Sequence, residues 1–345
     1  MKVVIDLCVE SDGLMFKQLA EKLTERGHKV LMTARQKVNA TDLYRYQGLN
    51  PHIVGKYSKT LEGKLRESSL RIYKMAELIQ RELNGLDAIV SNTGVEACRV
   101  GFGLGAKVHT FHDHPEAIHQ MLLTIPISDY VYYPWTIPKS KYLKLGLKDE
   151  NLFPYKGFLT ASWMPTLEIE EDVLDKLGLD SKRKIVVFRE SEVGAAYLFG
   201  KRDITVSAIK LLAQRMKNVQ FVARPRYSYQ MLNGYFKDLD NVKIFPTPIP
   251  LQSLLAKSDL LIGGGATMCL EATYFGVPTI MCRQINSPIT DYLAKMGIAY
   301  NANTTTDIIN LTEKHLGKRK SNKAQKIHEK MDFPLNQLIE NIEEA

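Results

Sequence analysis

At 345 residues the chain exceeds the usual size of one hydrophobic core, which predicts two domains of ordinary size. With 45% hydrophobic and 24% charged residues, 14 prolines and 22 glycines, its composition excludes a disordered or fibrous protein. The formal net charge of +8 favours anionic partners, and a phosphorylated metabolite, a nucleic acid and an anionic membrane surface all qualify. No apolar run approaches the ~18 residues needed to span a bilayer, and Met1-Lys2 leads straight into a strand, so a cytoplasmic location is expected. Cys8, Cys98, Cys269 and Cys282 are far apart and form no C-x-x-C pair, which makes them small core residues in this reading.

Short β-branched runs alternate with longer segments of helical period, the pattern of βαβ units around a parallel sheet. The first half predicts a strand at Val3 to Leu7, then a helix with Phe16, Leu19, Ala20 and Leu23 on one face that ends near Gly27. A strand at Val30 to Thr33, a helix from Ala40, an extended stretch at Pro51 to Val54 and a long amphipathic helix from Leu61 to Leu83 follow. Ala88 to Ser91, Val108 to Phe111 and Tyr130 to Tyr133 read as further strands, with a helix over Gly94 to Leu104.

Between Pro134 and Pro165 the pattern breaks up, and the domain linker is placed there. Strands at Lys184 to Arg189, Val219 to Ala223, Val242 to Phe245, Leu260 to Ile262 and Thr279 to Met281 then alternate with helices over Ile204 to Met216, Tyr229 to Phe236, Leu251 to Lys257, Thr267 to Phe275 and Asp291 to Met296. The division expected is 1–158 for the first Rossmann-like domain, 159–322 for the second, and 323–345 for a C-terminal helix crossing back to the first. The helical tail from Asp307 is basic, with Lys314, Lys318, Arg319, Lys320, Lys323, Lys326 and Lys330, for which a solvated face outweighs a role at a lipid surface.

The strongest local signal runs from Leu260 through Gly263, Gly264 and Gly265 into a helix beginning at Thr267. Glycines let the backbone approach a pyrophosphate, and free N–H groups at a helix N-terminus face the bound anion. The Thr267 hydroxyl adds a donor. Glu271 lies one turn further along the same face, where a carboxylate can take both hydroxyls of a ribose. The order of residues differs from the G-x-G-x-x-G dinucleotide fingerprint and falls late in its domain.

The stretch Gly263 to Met281 is similar to the nucleotide-diphosphate site of GT-B glycosyltransferases and of the non-hydrolysing UDP-N-acetylglucosamine 2-epimerases. More closely, the chain resembles the prokaryotic family called domain of unknown function 354, through Arg99 to Gly105, Phe111 to Pro126 with Asp113, Glu116 and Ala117, Arg189 to Tyr197, and the glycine turn. The resemblance implies an α/β, GT-B-like fold, with two Rossmann-like domains whose parallel sheets face across a cleft that holds the ligand. It implies no reaction, because the family has none assigned.

On the first domain, His112, Asp113 and His114 follow the strand ending at Phe111, at the carboxyl edge where open α/β sheets bind ligands. An imidazole beside a carboxylate is expected to titrate near neutral pH, so Asp113, His112 and Glu116 are candidates for general acid/base work. His109 and His119 lie nearby, but the spacing matches no compact metal motif and no metal is expected. The loop Cys8 to Gly13 offers Glu10 and Asp12; it lacks both the proline- and histidine-containing segment of the related family and the Gly-Thr-Arg-Pro-Glu segment of the epimerases, which argues against a plain epimerase.

Arg189 and Arg224 each end a strand of the second domain and are expected to reach a diphosphate leaving group, with Tyr197 and Arg226 lining the same opening. Tyr132, Tyr133 and Trp135 read as core or hinge packing. The leading expectation is a glycosyltransferase-like enzyme that takes a UDP-sugar as substrate without a cofactor, its acceptor unidentified and compatible with a lipid-linked molecule at a membrane. Sugar-nucleotide epimerisation and non-catalytic nucleotide-sugar binding are the alternatives, and nucleic-acid binding has only charge to support it.

Overall fold

The computed structural model describes residues 1–36, 40–58, 60–191, 203–282 and 287–344. The chain divides into two compact units, Met1–Trp163 with Asp332–Ala345, and Met164–Met331. Their boundary falls a few residues beyond the expected one, and the terminal segment from Asp332 belongs to the first unit.

The first unit holds β1 (Lys2–Leu7), β2 (Lys29–Gln36), β3 (His52–Lys56), β4 (Ala88–Asn92), β5 (Lys107–Phe111), β6 (Tyr130–Pro134) and β7 (Leu152–Tyr155) in one parallel sheet of order β3-β2-β1-β4-β5-β6-β7. The second holds β8 (Lys184–Arg189), β9 (Val219–Ala223), β10 (Val242–Ile244), β11 (Leu260–Gly263), β12 (Thr279–Met281) and β13 (Ala299–Asn301) in the order β10-β9-β8-β11-β12-β13. In each unit the chain winds outward one way and then returns to start the other side, so the order reverses at β1/β4 and at β8/β11. Ligands of doubly wound sheets bind at such switch points, outside the carboxyl ends of the strands.

Continuous apolar strands such as Lys184–Arg189, buried from Ile185 to Phe188, are what a sheet covered on both faces requires. Helix Thr205–Arg215 covers that sheet with Ala208, Ile209, Leu212 and Ala213, all packed in one cluster with Phe188, Phe221 and Ile262. In the first unit, helix Leu61–Leu83 supplies Met75, Leu78, Ile79 and Leu83 to a core shared with Val4, Ile89 and Val108.

Two strands depart from the sequence reading. The segment assigned to a linker contains β7, which pairs with β6 so that Pro154 lies opposite Tyr133. Proline donates nothing to a ladder and is therefore confined to edges, and β7 is an edge. β13 is likewise a three-residue edge strand, too short to show a period.

The terminal helix Leu335–Glu343 buries Leu338, Ile339 and Ile342. Asn341 donates to the Tyr132 hydroxyl at 2.8 Å, and Arg26 and His28 hold Glu343 at 2.8 and 2.9 Å, which fixes this helix to the first unit. The basic segment before it is partly structural: Arg319 donates to the carbonyls of Ala256, Ser258 and Phe275, and Lys320 to that of Gly297. Cations at carbonyl ends of helices are favourable. Among the described residues no helix is long and apolar enough to cross a membrane.

Beneath the β1/β4 switch point lies a buried ion network. Asp6 on β1 accepts from Arg71 at 2.5 and 3.1 Å and from the Thr33 hydroxyl at 2.7 Å, while Arg71 also donates to the Val54 carbonyl at 2.9 Å and stands 3.6 Å from Glu96. Burial opposes ionisation of Asp6, but the Arg71 guanidinium prevails and holds the carboxyl below its usual value. Removing one member strands a charge in the core, so Arg71→Ala is expected to destabilise the first unit by about 3 to 5 kcal/mol. Urea unfolding of the variant measures this, and the paired change Asp6→Asn with Arg71→Met should restore part of the loss.

Candidate functional site

At the second switch point, Gly263 pairs in register with Arg189, so β11 delivers the triple-glycine bend beside the end of β8. The bend opens helix Ala266–Tyr274, whose N-cap is Gly265 with extended backbone; no side chain caps it among the described residues. Gly265, Ala266 and Thr267 are partly exposed, whereas Gly263 and Gly264 are buried.

The three glycines answer different needs. None has a positive φ, so conformational freedom is not their reason. A Cβ on Gly263 would meet only ordinary contacts, at 3.8 Å or more from Arg189. A Cβ on Gly264 would stand 3.1 Å from Ser191, and one on Gly265 would stand 2.8 Å from an Nη of Arg226. The last position is where close approach matters chemically, because a guanidinium rests against the open end of a helix.

Arg226 is fixed by Glu190, the residue that follows β8. Its backbone N–H donates to the Glu190 carboxylate at 2.6 Å, and its Nε donates to the Glu190 carbonyl at 3.2 Å. Burial raises the Glu190 carboxyl above its usual value, opposed by the Arg226 amide; Asp203 raises it further, while Arg226 and Arg189 pull it down. Arg224, two residues before Arg226, directly follows β9. Glu271 is 4% exposed, and one of its oxygens accepts from Gln252 on helix Leu251–Lys257 at 2.8 Å. The expected two-handed grip on ribose is therefore reduced, since Gln252 occupies part of the carboxylate and sets its orientation.

Sequence reasoning grouped Gly263, Gly264, Gly265, Thr267, Glu271 and Arg189; the structure sets Gly263 beside Arg189 and carries Thr267 and Glu271 on the helix that the glycine bend opens. That reasoning ranked Arg226 below Arg224 and missed Glu190 and Gln252. The signal for Arg226 was the Arg-Pro-Arg step after β9, where Pro225 restricts the backbone just beyond the strand. Gln252 carries no local signal. Tyr197 lies outside the described residues.

In the first unit, Asp12, Asn92 and His112 stand at the ends of β1, β4 and β5. Asp12 is fully buried, and its carboxylate folds back to accept from the amides of Cys8 and Val9 at 2.7 and 2.9 Å and from the Asn92 side chain at 3.1 Å. Burial raises this carboxyl to about 7, against those three hydrogen bonds. It staples its own loop instead of facing outward. Next to Asn92, Thr93 takes a φ of 54°, an uncommon conformation for a β-branched residue, and its N–H and hydroxyl both donate to the Phe111 carbonyl at 3.0 Å.

The expectation that His112 titrates near neutrality is corrected. The ring is fully buried, with Nδ1 at 3.0 Å from the Tyr142 hydroxyl, and burial lowers its pKa to about 3, so it stays neutral. His109 is also buried, stacked on Tyr130 and likewise lowered to about 3. Asp113 is 5% exposed, with one oxygen 3.6 Å from His114, whose other ring nitrogen is 3.9 Å from Glu116. Tyr132 and Tyr133 are core residues, as expected. Among the described residues no group of three potential ligands is gathered to hold a metal ion.

This architecture, two parallel-sheet α/β units each with a switch point, is GT-B-like. The chain belongs to the family described as protein of unknown function DUF354, matched over residues 1–345. An uncharacterized protein of Methanocaldococcus jannaschii is 28% identical over 325 residues, covering 92% of this chain and 93% of that protein. The UDP-GlcNAc 2-epimerase of the same organism, solved with UDP-GlcNAc and UDP, shares the fold with a TM-score of 0.71 at 13% identity, over 95% of this chain and 98% of that one. The spinosyn forosaminyltransferase SpnP shares it with a TM-score of 0.60 at 15% identity, over 99% of each chain.

Two outcomes follow from this geometry. Gly263→Ala should leave stability unchanged or raise it slightly, whereas Gly264→Ala, forced against Ser191, should lower it by about 1 to 3 kcal/mol in urea unfolding. The unfolded chain protonates its imidazoles near pH 6.5, about the free value, while His109 and His112 resist until about pH 3. Stability is therefore fully present above about pH 6.5 and falls as pH drops toward about 3, by up to about 1.4 kcal/mol per pH unit for each histidine. The urea midpoint followed between these limits reads the loss, which His109→Phe should make shallower.

Proposed function

We propose that the carboxyl edge of the second sheet binds the diphosphate and ribose of a nucleotide sugar, a UDP-sugar in the first instance, and that the protein is a metal-independent glycosyltransferase-like enzyme. The observation that carries this is the glycine bend: a helix N-terminus that no side chain caps among the described residues, with the Arg226 guanidinium against Gly265 and the buried Glu271 one turn inward. Amides at the bend and a guanidinium together neutralise a leaving diphosphate, and such charge-assisted hydrogen bonds are worth about 1.5 to 3 kcal/mol each. Glu271, oriented by Gln252, takes a ribose hydroxyl. Arg189 adds a second cation at the end of β8. On the first unit Asp113, flanked by His114 and Glu116, is the base assigned to the acceptor hydroxyl; buried His112 and loop-bound Asp12 position that edge.

Epimerisation at the sugar ring is the second reading, supported by the fold shared with the M. jannaschii epimerase solved with UDP-GlcNAc. Deuterium entering a UDP-sugar from solvent without an acceptor would favour it over transfer. Binding of UDP with no turnover of any sugar nucleotide would instead favour a non-catalytic sensor.

Calorimetry with UDP tests the common ground of all three. Wild-type protein is expected to bind in the micromolar range, about 8 kcal/mol, and Glu271→Ala to lose about tenfold or more. Unchanged affinity in that variant removes the site assignment.

A further inference from the structure

Tyr155 closes β7 and is 6% exposed, its ring in contact with Phe111 and Phe333 at centroid distances of 6.2 and 6.0 Å. Its hydroxyl is buried and has no hydrogen-bond partner among the described residues. A buried tyrosine hydroxyl ordinarily finds a partner, and one left unpaired lowers stability. Two neighbouring strand ends repeat the pattern: the Thr136 hydroxyl, just beyond β6, and Nε2 of His112, just beyond β5, are also buried without a partner. These three strands adjoin in the sheet, so the unpaired atoms follow its carboxyl edge, where open α/β sheets bind ligands.

Asp113 belongs to the same group. It is 5% exposed and accepts no hydrogen bond among the described residues, with His114 at 3.6 Å as its ionic neighbour. Burial raises the Tyr155 hydroxyl well above its usual value, and the Asp113 charge raises it further, followed by Tyr142, whose own hydroxyl meets Nδ1 of His112 at 3.0 Å. The phenol and the carboxylate are thus near enough to interact, yet no hydrogen bond joins them. A group that both donates and accepts satisfies the pair. An ammonium only donates and leaves the phenol proton unpaired; a carboxylate or phosphate only accepts and meets Asp113 as a like charge. A hydroxyl accepts from Tyr155 and donates to Asp113. We infer that Tyr155 and Asp113 form a subsite for a neutral, hydroxyl-rich ligand of the carbohydrate class, one hydroxyl bridging the two, with His112 Nε2 and the Thr136 hydroxyl pairing others. This rests on the reading of Asp113 given above and names the class of acceptor. In transfer the bridging hydroxyl gives its proton to Asp113, its oxygen bonds to the sugar carbon, and the nucleoside diphosphate leaves with the electrons of the broken C–O bond.

The test uses the full chain and two readouts. In thermal melting without ligand, Tyr155→Phe, which deletes only the unpaired oxygen, should raise the melting temperature by about 2 to 8 °C. In NMR titrations with methyl glucoside and cellobiose as neutral probes, glucuronate as the anion and glucosamine as the cation, wild type should bind the neutral probes at millimolar concentration and about tenfold more tightly than the charged ones. Tyr155→Phe should weaken the neutral probes about three- to tenfold, and Asp113→Asn should weaken them while relaxing the discrimination against glucuronate. A melting temperature that Tyr155→Phe leaves unchanged or lowers shows the hydroxyl already paired and overturns the subsite, as does neutral-probe affinity that the variant does not alter. Tightest binding of glucosamine or glucuronate overturns the class. UDP calorimetry on the same wild-type protein judges the nucleotide reading separately. UDP binding without saccharide binding removes the subsite alone, Tyr155-dependent saccharide binding without UDP binding removes the nucleotide reading alone, and failure of both removes both.

Discussion

In the second unit the position of the Arg226 guanidinium against the start of helix Ala266–Tyr274 is the constraint around which the neighbouring residues are arranged, for a Cβ on Gly265 would stand 2.8 Å from one of its Nη atoms. Much of the local structure serves to keep it there. Parallel pairing sets Gly263 beside Arg189, the next residue Glu190 seizes the Arg226 amide, and Gly265 omits the side chain that would push the guanidinium away.

Much of the fold was legible because buried parallel strands are short, apolar and β-branched, and the helices that cover them carry one apolar face. Helices Leu61–Leu83 and Leu251–Lys257 and strands β8, β9 and β12 lie where the pattern places them. The edge strands β7 and β13 were not legible, since four residues with a proline, or three alone, leave no period to detect. Their existence is decided by the neighbour they pair with.

The site divides the same way. The glycines and Glu271 share a local pattern that chemistry can interpret from spacing alone. Gln252 and Glu190 act through contacts between separate elements, and nothing in spacing announces them. His112 shows the converse error. A histidine followed by an aspartate looks ionisable on paper, yet Tyr142, thirty positions along the chain, meets its ring and the surrounding burial keeps it neutral.

The two switch points share a topology and differ in what their amides do. At the end of β1, the Cys8 and Val9 amides are already taken by the Asp12 carboxylate, an anion supplied by the chain itself. A phosphate arriving there would displace a built-in partner and meet a carboxyl whose negative form repels it. At the end of β11 the helix has no side-chain cap among the described residues, and the nearby charge at Gly265 is a cation. Strand order therefore creates two similar edges, and Asp12 already occupies the amides at the first. The two edges therefore differ electrostatically, a carboxylate standing at the first and a guanidinium at the second.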